Sequence, residues 1–252
     1  VLVFHPETIE LGDNIYLGHN TNCSILGGHV ACSNEPFDCF RVRVAIDTDV
    51  EFLNLPAFGG DVEAAVNYIY MLTGASSQIY DHNLTLRLHV PWIRLWSAET
   101  DGVVEKPNYE IWEGDGEPWT STNTSGQLSQ FRNYWQSAAA PPVERDLMHM
   151  LSGRPLGGGI AYLSAVCSGN GYSVSANLLG EFPYPITDFN GTNWDLIVFT
   201  HELGHNFGTG HTHSYPYDLS GDLIDSCAYN CVGPVNYNAT IMSYCHLCPN
   251  IN

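Results

Sequence analysis

Positive charge is scarce in this sequence. The 252 residues include 8 basic residues, of which only Lys106 is a lysine, against 27 acidic ones, and the formal net charge is −19. Because such a chain repels phosphate groups, we expect neither nucleic acid nor an anionic membrane surface as a partner. The acidic excess favours cationic substrates at long range, although a merely solvated acidic surface is the commoner explanation.

Long apolar segments are absent as well. No run of roughly eighteen apolar residues occurs, so we expect no membrane span, and no internal repeat or low-complexity tract is evident. Hydrophobic residues nevertheless make up 44% of the chain, which is enough to bury a full core. Length and composition therefore agree with one globular domain, and we expect it to be a monomer.

The most informative segment is His201–His211 (HELGHNFGTGH), which fills the pattern H-E-x-x-H-x-x-G-x-x-H at every fixed position. On a helix, His201 and His205 lie on one face, so both imidazoles can reach one metal ion. Gly208 can adopt a left-handed conformation, end the helix and turn the chain so that His211 supplies a third ligand. Three protein ligands leave a fourth position open, which is the catalytic rather than the structural zinc pattern.

Glu202 follows the first of these histidines, beside the predicted zinc and not bound to it. A carboxylate at this place can take a proton from metal-bound water, whose pKa zinc lowers toward neutrality. The segment therefore predicts a zinc peptidase site with Glu202 as general base. The alternative is a buried helix with incidental histidines. Composition alone gives about 2 matches of the three histidines and the glycine per thousand chains of this length, before Glu202 is counted.

These eleven residues match the metzincin clan of zinc endopeptidases, whose second hallmark is a methionine-containing turn downstream. Thr240–Tyr244 (TIMSY) resembles that turn. The resemblance implies that Met242 packs as an apolar floor under the zinc ligands. Two hypotheses apply to Tyr244. It is either a further zinc ligand or oxyanion donor, or a buried tyrosine whose hydroxyl forms a hydrogen bond with the backbone. With three ligands supplied, His213 is expected to be a surface residue or to lie behind the ligands.

Within the clan, the chain is similar to the reprolysin or adamalysin branch through three further segments. Residues 41–52 resemble the first strand, residues 145–154 the segment before the edge strand, and residues 157–167 the edge strand itself. Two positions depart from that branch. Thr212 stands where Asp commonly follows the third histidine, and Tyr244 is similar to the turn of astacins and serralysins.

The resemblance implies an α/β (α+β) metzincin fold. Its upper lobe holds a twisted, mixed five-stranded sheet with helices, its small lower lobe is irregular and held by disulfides, and the zinc helix lies between them. We expect the catalytic domain to be residues 41–252, and residues 1–40 to be an N-terminal extension or propeptide remnant. In such enzymes a protein or peptide substrate pairs with the exposed edge strand, here at Gly158, Gly159, Ile160 and Ala161.

Hydrophobic periodicity predicts the elements around the motif. The predicted strands are Arg41–Leu53, Leu84–Trp96, Ile160–Val166 and Tyr172–Leu178, and the predicted helices are Asp61–Leu72, Gly126–Ala138 and one from Trp194 through the motif, with Asn193 as its cap. Residues 99–124 are rich in Gly, Pro, Asp and Thr and are predicted to be a long surface loop. Asp47 and Asp49 end the first strand and are predicted to be turn and cap residues rather than metal ligands.

The eight cysteines, at positions 23, 32, 39, 167, 227, 231, 245 and 248, form an even set. Because the clan works outside cells, we expect a secreted protein with a disulfide framework. The resemblance implies a bond from Cys167 to Cys245 or Cys248. For the cysteines before residue 41, the alternative to disulfides is a thiol that caps the zinc in a latent precursor.

Two questions stay open, namely whether calcium binds and whether the protein is an enzyme. The resemblance implies a calcium site with Asp146 and Asn250 in ligand positions, but the basic Arg41 and Arg43 occupy the strand where the family supplies an acidic partner. The rival to an enzyme is a catalytically silent zinc-binding adhesion or recognition module. Glu202 argues against that module, because a protein without turnover needs no general base.

Overall fold

The structure, a computed structural model, describes residues 40–98, 103–106, 109–113, 116–166, 168–186, 191–214 and 240–244. Its centre is a five-stranded sheet in the order β2-β1-β6-β8-β7. Four of the strands are parallel, and β7 pairs antiparallel with β8 at one edge. The strands are Phe40–Thr48 (β1), Leu86–His89 (β2), Leu147–Leu151 (β6), Gly159–Ala161 (β7) and Tyr172–Ser175 (β8). The predicted mixed five-stranded sheet is confirmed.

Helices cover both faces of this sheet. The helices are Val50–Leu53 (α1), Val62–Leu84 (α2), Thr124–Trp135 (α3) and Trp194–Asn206 (α4). Along β1 the side chains alternate, so Val44 and Ile46 pack into one apolar cluster with α2 and α4, whereas Ala45 packs into a second cluster with α3. The result is a three-layer α/β domain in which α4, the helix of the histidine motif, lies on the sheet. Among the described residues no helix has the length and apolarity that a membrane crossing requires.

A second, three-stranded sheet corrects the prediction for residues 99–124. It has the order β3-β5-β4 and consists of Arg94–Ser97 (β3), Val103–Lys106 (β4) and Tyr109–Glu113 (β5). The prediction of a continuous surface loop is wrong because these short strands are flanked by Gly, Pro and Asp residues that dominate the local composition. The predicted strand Leu84–Trp96 is likewise split around Pro91, which has no N–H to donate to a sheet.

The first strand is shorter than predicted because a helix begins directly after it. The Asp49 side chain accepts a hydrogen bond from the Phe52 N–H and caps α1, so β1 ends at Thr48. The predicted capping role of Asp49 is thus confirmed. The prediction for Asp47 is wrong: it lies inside β1, fully buried, and its carboxylate pairs with the guanidinium of Arg94.

Arg94 joins the two sheets through this ion pair. Both side chains are 0% exposed, and Arg94 Nε lies 2.9 Å from Asp47 Oδ1. The indole N–H groups of Trp96 and Trp135 also donate to Asp47, at 3.2 and 2.9 Å. The guanidinium carbon lies 4.7 Å from the ring centres of both tryptophans and of Trp112. Hydrogen bonds and aromatic faces therefore replace the water that the two charges lose on burial.

Two of the predicted helices differ at their ends. Helix α2 continues to Leu84, twelve residues beyond its predicted end, because Thr85 provides the left-handed cap (φ +50°). Helix α3 begins at Thr124, where the Asn123 side chain accepts from the Gly126 N–H. Helix α4 begins at Trp194 as predicted.

The predicted strand Ile160–Val166 is shorter in the structure: β7 ends at Ala161, and the Tyr162 N–H still donates to the Tyr172 carbonyl of β8, at 3.2 Å. The following backbone turns to α4 instead, where the Ser164 and Ala165 N–H groups donate to the carbonyls of His205 and Asn206, at 2.9 and 2.8 Å. The next strand, β8, ends at Ser175 rather than at the predicted Leu178. Most of the predicted lower lobe, and all eight cysteines, lie outside the described residues.

Candidate metal centre

Helix α4 carries the first half of the site and is anchored at its start. The carboxylate of Asp195, fully buried in the first turn, accepts a hydrogen bond from the Tyr68 hydroxyl at 2.6 Å and from the backbone N–H groups of Leu179 and Gly180. Burial is the main cause that raises the pKa of Asp195. These contacts tie α4 to α2 and to the segment after β8, so the helix has a fixed position on the sheet.

The three histidines of the motif meet at one point. The Nε2 atom of His211 lies 3.1 Å from Nε2 of His205 and 3.2 Å from Nε2 of His201. Zinc–nitrogen bonds of about 2.0–2.1 Å in a tetrahedral arrangement place two ligand nitrogens about 3.3 Å apart. The spacing of the three nitrogens therefore fits one zinc ion.

Backbone carbonyls fix the protonation of two of these rings. His201 Nδ1 lies 2.7 Å from the Ile241 carbonyl oxygen, and His205 Nδ1 lies 2.7 Å from the carbonyl oxygen of Thr209. A carbonyl only accepts, so both Nδ1 atoms carry the proton and both Nε2 atoms present a lone pair to the shared point. Lone pairs that converge in this way repel one another unless a cation lies between them, and this donor set suits zinc.

Burial favours the neutral form of His205 and His211, which is the form that a metal requires. It lowers the pKa of His205, and it lowers the pKa of His211 to about 4, with smaller contributions from the nearby imidazoles of His205 and His213. At neutral pH these imidazoles are therefore unprotonated and free to ligate.

The chain beyond α4 supplies the third histidine as the sequence predicts. Helix α4 ends at Asn206, and Gly208 has φ +107°, a conformation that residues with a side chain rarely adopt. The Gly208 N–H donates to the His205 carbonyl at 2.9 Å, and the reversed chain brings His211 back to the helix. The turn at residues 240–243 lies beneath: a Cβ on Gly204 would stand 2.6 Å from the sulfur of Met242, which is 8% exposed.

Glu202 lies beside the histidines with its carboxylate enclosed. Its side chain is 4% exposed, and Oε2 has no hydrogen-bond partner within the described part of the chain. Burial raises the pKa of Glu202 to about 8. A cation at the three nitrogens would act in the opposite direction, because a nearby positive charge favours the ionised carboxylate. A buried oxygen without a partner suits a group that receives a proton from a bound molecule.

Tyr244 also lies next to the three histidines. Its side chain is 39% exposed, and its hydroxyl lies 2.9 Å from His211 Nε2. This position is compatible with the hypothesis that Tyr244 is a zinc ligand or an oxyanion donor. His213 is exposed, and its ring stacks on His211 with 4.9 Å between centroids, so it lies behind the third histidine rather than among the converging nitrogens.

The site opens into a cleft of about 710 Å³. One wall consists of the edge strand β7, with Gly159, Ile160 and Ala161, and of Gly158 directly before it. Facing it are side chains of α4 that the sequence analysis did not single out. Trp194, Ile197 and Val198 form an apolar section next to His201. They stand seven, four and three residues before that histidine, a helical spacing from which their place on its face of α4 could have been predicted.

The described residues give calcium no support. Both carboxylate oxygens of Asp146 accept hydrogen bonds from Arg43, at 2.8 to 3.2 Å, so a guanidinium occupies the place of a bound cation. Asn250 lies outside the described residues, as do Cys23, Cys32 and Cys39, whose alternative role is to cap the zinc in a latent precursor.

One comparison, with sequence models of protein families, agrees with the geometry. The sequence model described as Metallo-peptidase family M12 matches residues 40–252. No curated protein matches the chain. A solved structure titled "Structure of a chaperone-substrate complex" is similar with a TM-score of 0.43 and 14% identity over 69% of this chain and 24% of that one, so the chain spans about a quarter of that protein's length.

Proposed function

Because this chain belongs to metallopeptidase family M12, we propose that it is a secreted zinc endopeptidase that cuts protein substrates with Glu202 as general base. The observation that carries the proposal is the convergence of three Nε2 atoms beside an enclosed carboxylate in an open cleft. His201, His205 and His211 would hold the zinc. Bound there, zinc would act as a Lewis acid that polarises a peptide carbonyl and lowers the pKa of a water molecule.

The remaining steps belong to side chains of this protein. The Glu202 carboxylate takes a proton from the attacking water and returns it to the departing amine, and its enclosed Oε2 is free to do so. The Tyr244 hydroxyl, beside His211, donates a hydrogen bond to the oxygen on which negative charge develops. Met242 supports α4 from below through its contact with Gly204, so that the ligands keep their direction.

The cleft supports a peptide as substrate. Within the described residues, strand β7 pairs with β8 alone, so its other edge offers backbone groups to an extended peptide that runs antiparallel to it. A substrate side chain would then enter the apolar section lined by Trp194, Ile197 and Val198. Backbone pairing provides affinity independent of sequence, and this apolar section provides preference for an apolar side chain.

Secretion is supported by the even set of eight cysteines, which suits an oxidising compartment. The mass of the intact protein before and after reduction and thiol alkylation tests it. Eight alkylated thiols after reduction and none before indicate four disulfides, whereas thiols that react without reduction argue for another compartment.

The central test is the variant Glu202→Ala. We expect it to keep one zinc per chain and to lose about 10²- to 10⁴-fold in kcat on casein or a peptide library. Glu63→Ala, an exposed carboxylate on α2, is the matched control and is expected to leave kcat unchanged. Equal, chelator-insensitive activity in all three proteins would contradict the mechanism. Zinc binding without turnover of any peptide would instead favour the silent adhesion module.

A further inference from the structure

Gly159 stands on the edge strand directly opposite the carboxylate of Glu202. A Cβ built on Gly159 would lie 2.6 Å from Glu202 Cγ and 2.7 Å from Cδ, and closer still to Oε1. Real Cβ atoms do not approach other heavy atoms so closely. The volume that any other residue would fill with its side chain is therefore filled by Glu202.

The backbone of Gly159 does not itself require glycine. Its two predecessors, Gly157 and Gly158, have φ of +99° and +113°, so they are needed for their conformation. Gly159 has no positive φ and pairs with Ser175 as an ordinary strand residue. The three consecutive glycines are thus required for two different reasons. Gly157 and Gly158 are required for their backbone conformation, and Gly159 is required because a side chain there would have no space.

Hydrogen bonds between the chain just after β7 and helix α4 oppose a separation of the strand from the helix. Beyond β7, the Ser164 N–H donates to the His205 carbonyl at 2.9 Å, and the Asn206 side chain donates to the Tyr162 carbonyl at 2.8 Å. These bonds attach the end of the strand to the same helix that carries Glu202. The movable part is the carboxylate itself, which could leave the methyl group only by leaving its position beside the histidines.

We infer that Gly159 is a positioning residue, whose missing side chain creates the space that holds the Glu202 carboxylate beside the three histidines. The inference rests on the proposed function, because the position matters for turnover only if Glu202 is the general base. Zinc binding and the position of the base then depend on different residues. The histidines would hold the zinc, and the edge strand holds the carboxylate of Glu202 in place.

Gly159→Ala tests this in the zinc-loaded protein. We expect kcat to fall by about 10²-fold, within the range that a displaced general base costs, while KM and the zinc content per chain stay at their wild-type values. Gly191→Ala is the matched control, because a Cβ there meets no atom within 4 Å and its φ is ordinary. It is expected to keep the wild-type kcat and melting temperature.

A second measurement needs no activity. In the zinc-free protein, Gly159→Ala is expected to lower the melting temperature by about 2–10 °C when Glu202 is present, and not at all in the Glu202→Ala background, where the crowded atoms are gone. A kcat within twofold of wild type, or an equal fall in melting temperature in both backgrounds, would overturn the inference. If the wild-type protein has no zinc-dependent activity, the proposed function fails, and the melting comparison still decides whether Gly159 places Glu202.

Discussion

We expect acid to destabilise this fold through His149, a fully buried residue of β6. Its Nδ1 lies 2.7 Å from Ser173 Oγ and its Nε2 lies 2.8 Å from Ser175 Oγ, while its ring packs edge-on against Phe199 of α4. Burial lowers the pKa of His149 to about 3, from 6.5 for an ordinary imidazole. Between these two values the folded protein keeps the ring neutral, whereas the unfolded chain protonates it.

The sign and size of the effect follow from this difference in proton uptake. The unfolded state binds the extra proton, so the free energy of unfolding falls as the pH drops below 6.5, by about 1.4 kcal/mol per pH unit. Over the 1.5 units down to pH 5, the contribution of His149 is about 2 kcal/mol. Stability from this residue is fully present above pH 6.5 and is lost progressively towards pH 3.

Denaturant unfolding of the zinc-free protein at pH 8 and pH 5 measures this contribution. Zinc-free protein is used because loss of bound zinc at low pH would otherwise add a second effect. The titration of His205 and His211 is common to the wild type and the variant below, so it cancels in their comparison. The variant His149→Gln removes the titrating group and keeps a polar side chain. We expect the wild type to lose about 2 kcal/mol more than the variant between the two pH values. Equal losses in both proteins would refute the reasoning.

Two further substitutions test single contacts. Tyr244→Phe removes the hydroxyl that lies 2.9 Å from His211 Nε2 and is expected to lower kcat by about 10²-fold at unchanged zinc content; an unchanged kcat would leave Tyr244 without a catalytic role. Asp47→Asn leaves the buried Arg94 without its counter-charge and is expected to lower the free energy of unfolding by about 3–5 kcal/mol in urea. The control Asp81→Asn breaks a half-exposed ion pair and is expected to cost less than about 1 kcal/mol, so similar losses in the two variants would contradict this account.

The sequence predicted those features that local spacing determines. The interval between His201 and His205, and the glycine at position 208, were sufficient to predict a helix, its end and the return of the third histidine. Local spacing gave a wrong prediction where hydrogen bonds to distant residues determine the end of an element. The strand predicted for Ile160–Val166 ends at Ala161 because the Ser164 N–H donates to α4 instead of to the sheet. The small second sheet was missed for a different reason, because its strands of four or five residues are flanked by Gly, Pro and Asp residues that are typical of loops.

The features of the site can likewise be divided into those that local spacing determines and those that distant contacts determine. The motif brings the three nitrogens together, but the proton on His201 is placed by the Ile241 carbonyl, 40 residues later, and the carboxylate of Glu202 is placed by Gly159 on the edge strand. A related chain with the same eleven motif residues and a branched side chain at the position of Gly159 would therefore keep its zinc ligands and lose the position of its base. The residue at that strand position, rather than the motif, would then separate an enzyme from a zinc-binding module without turnover.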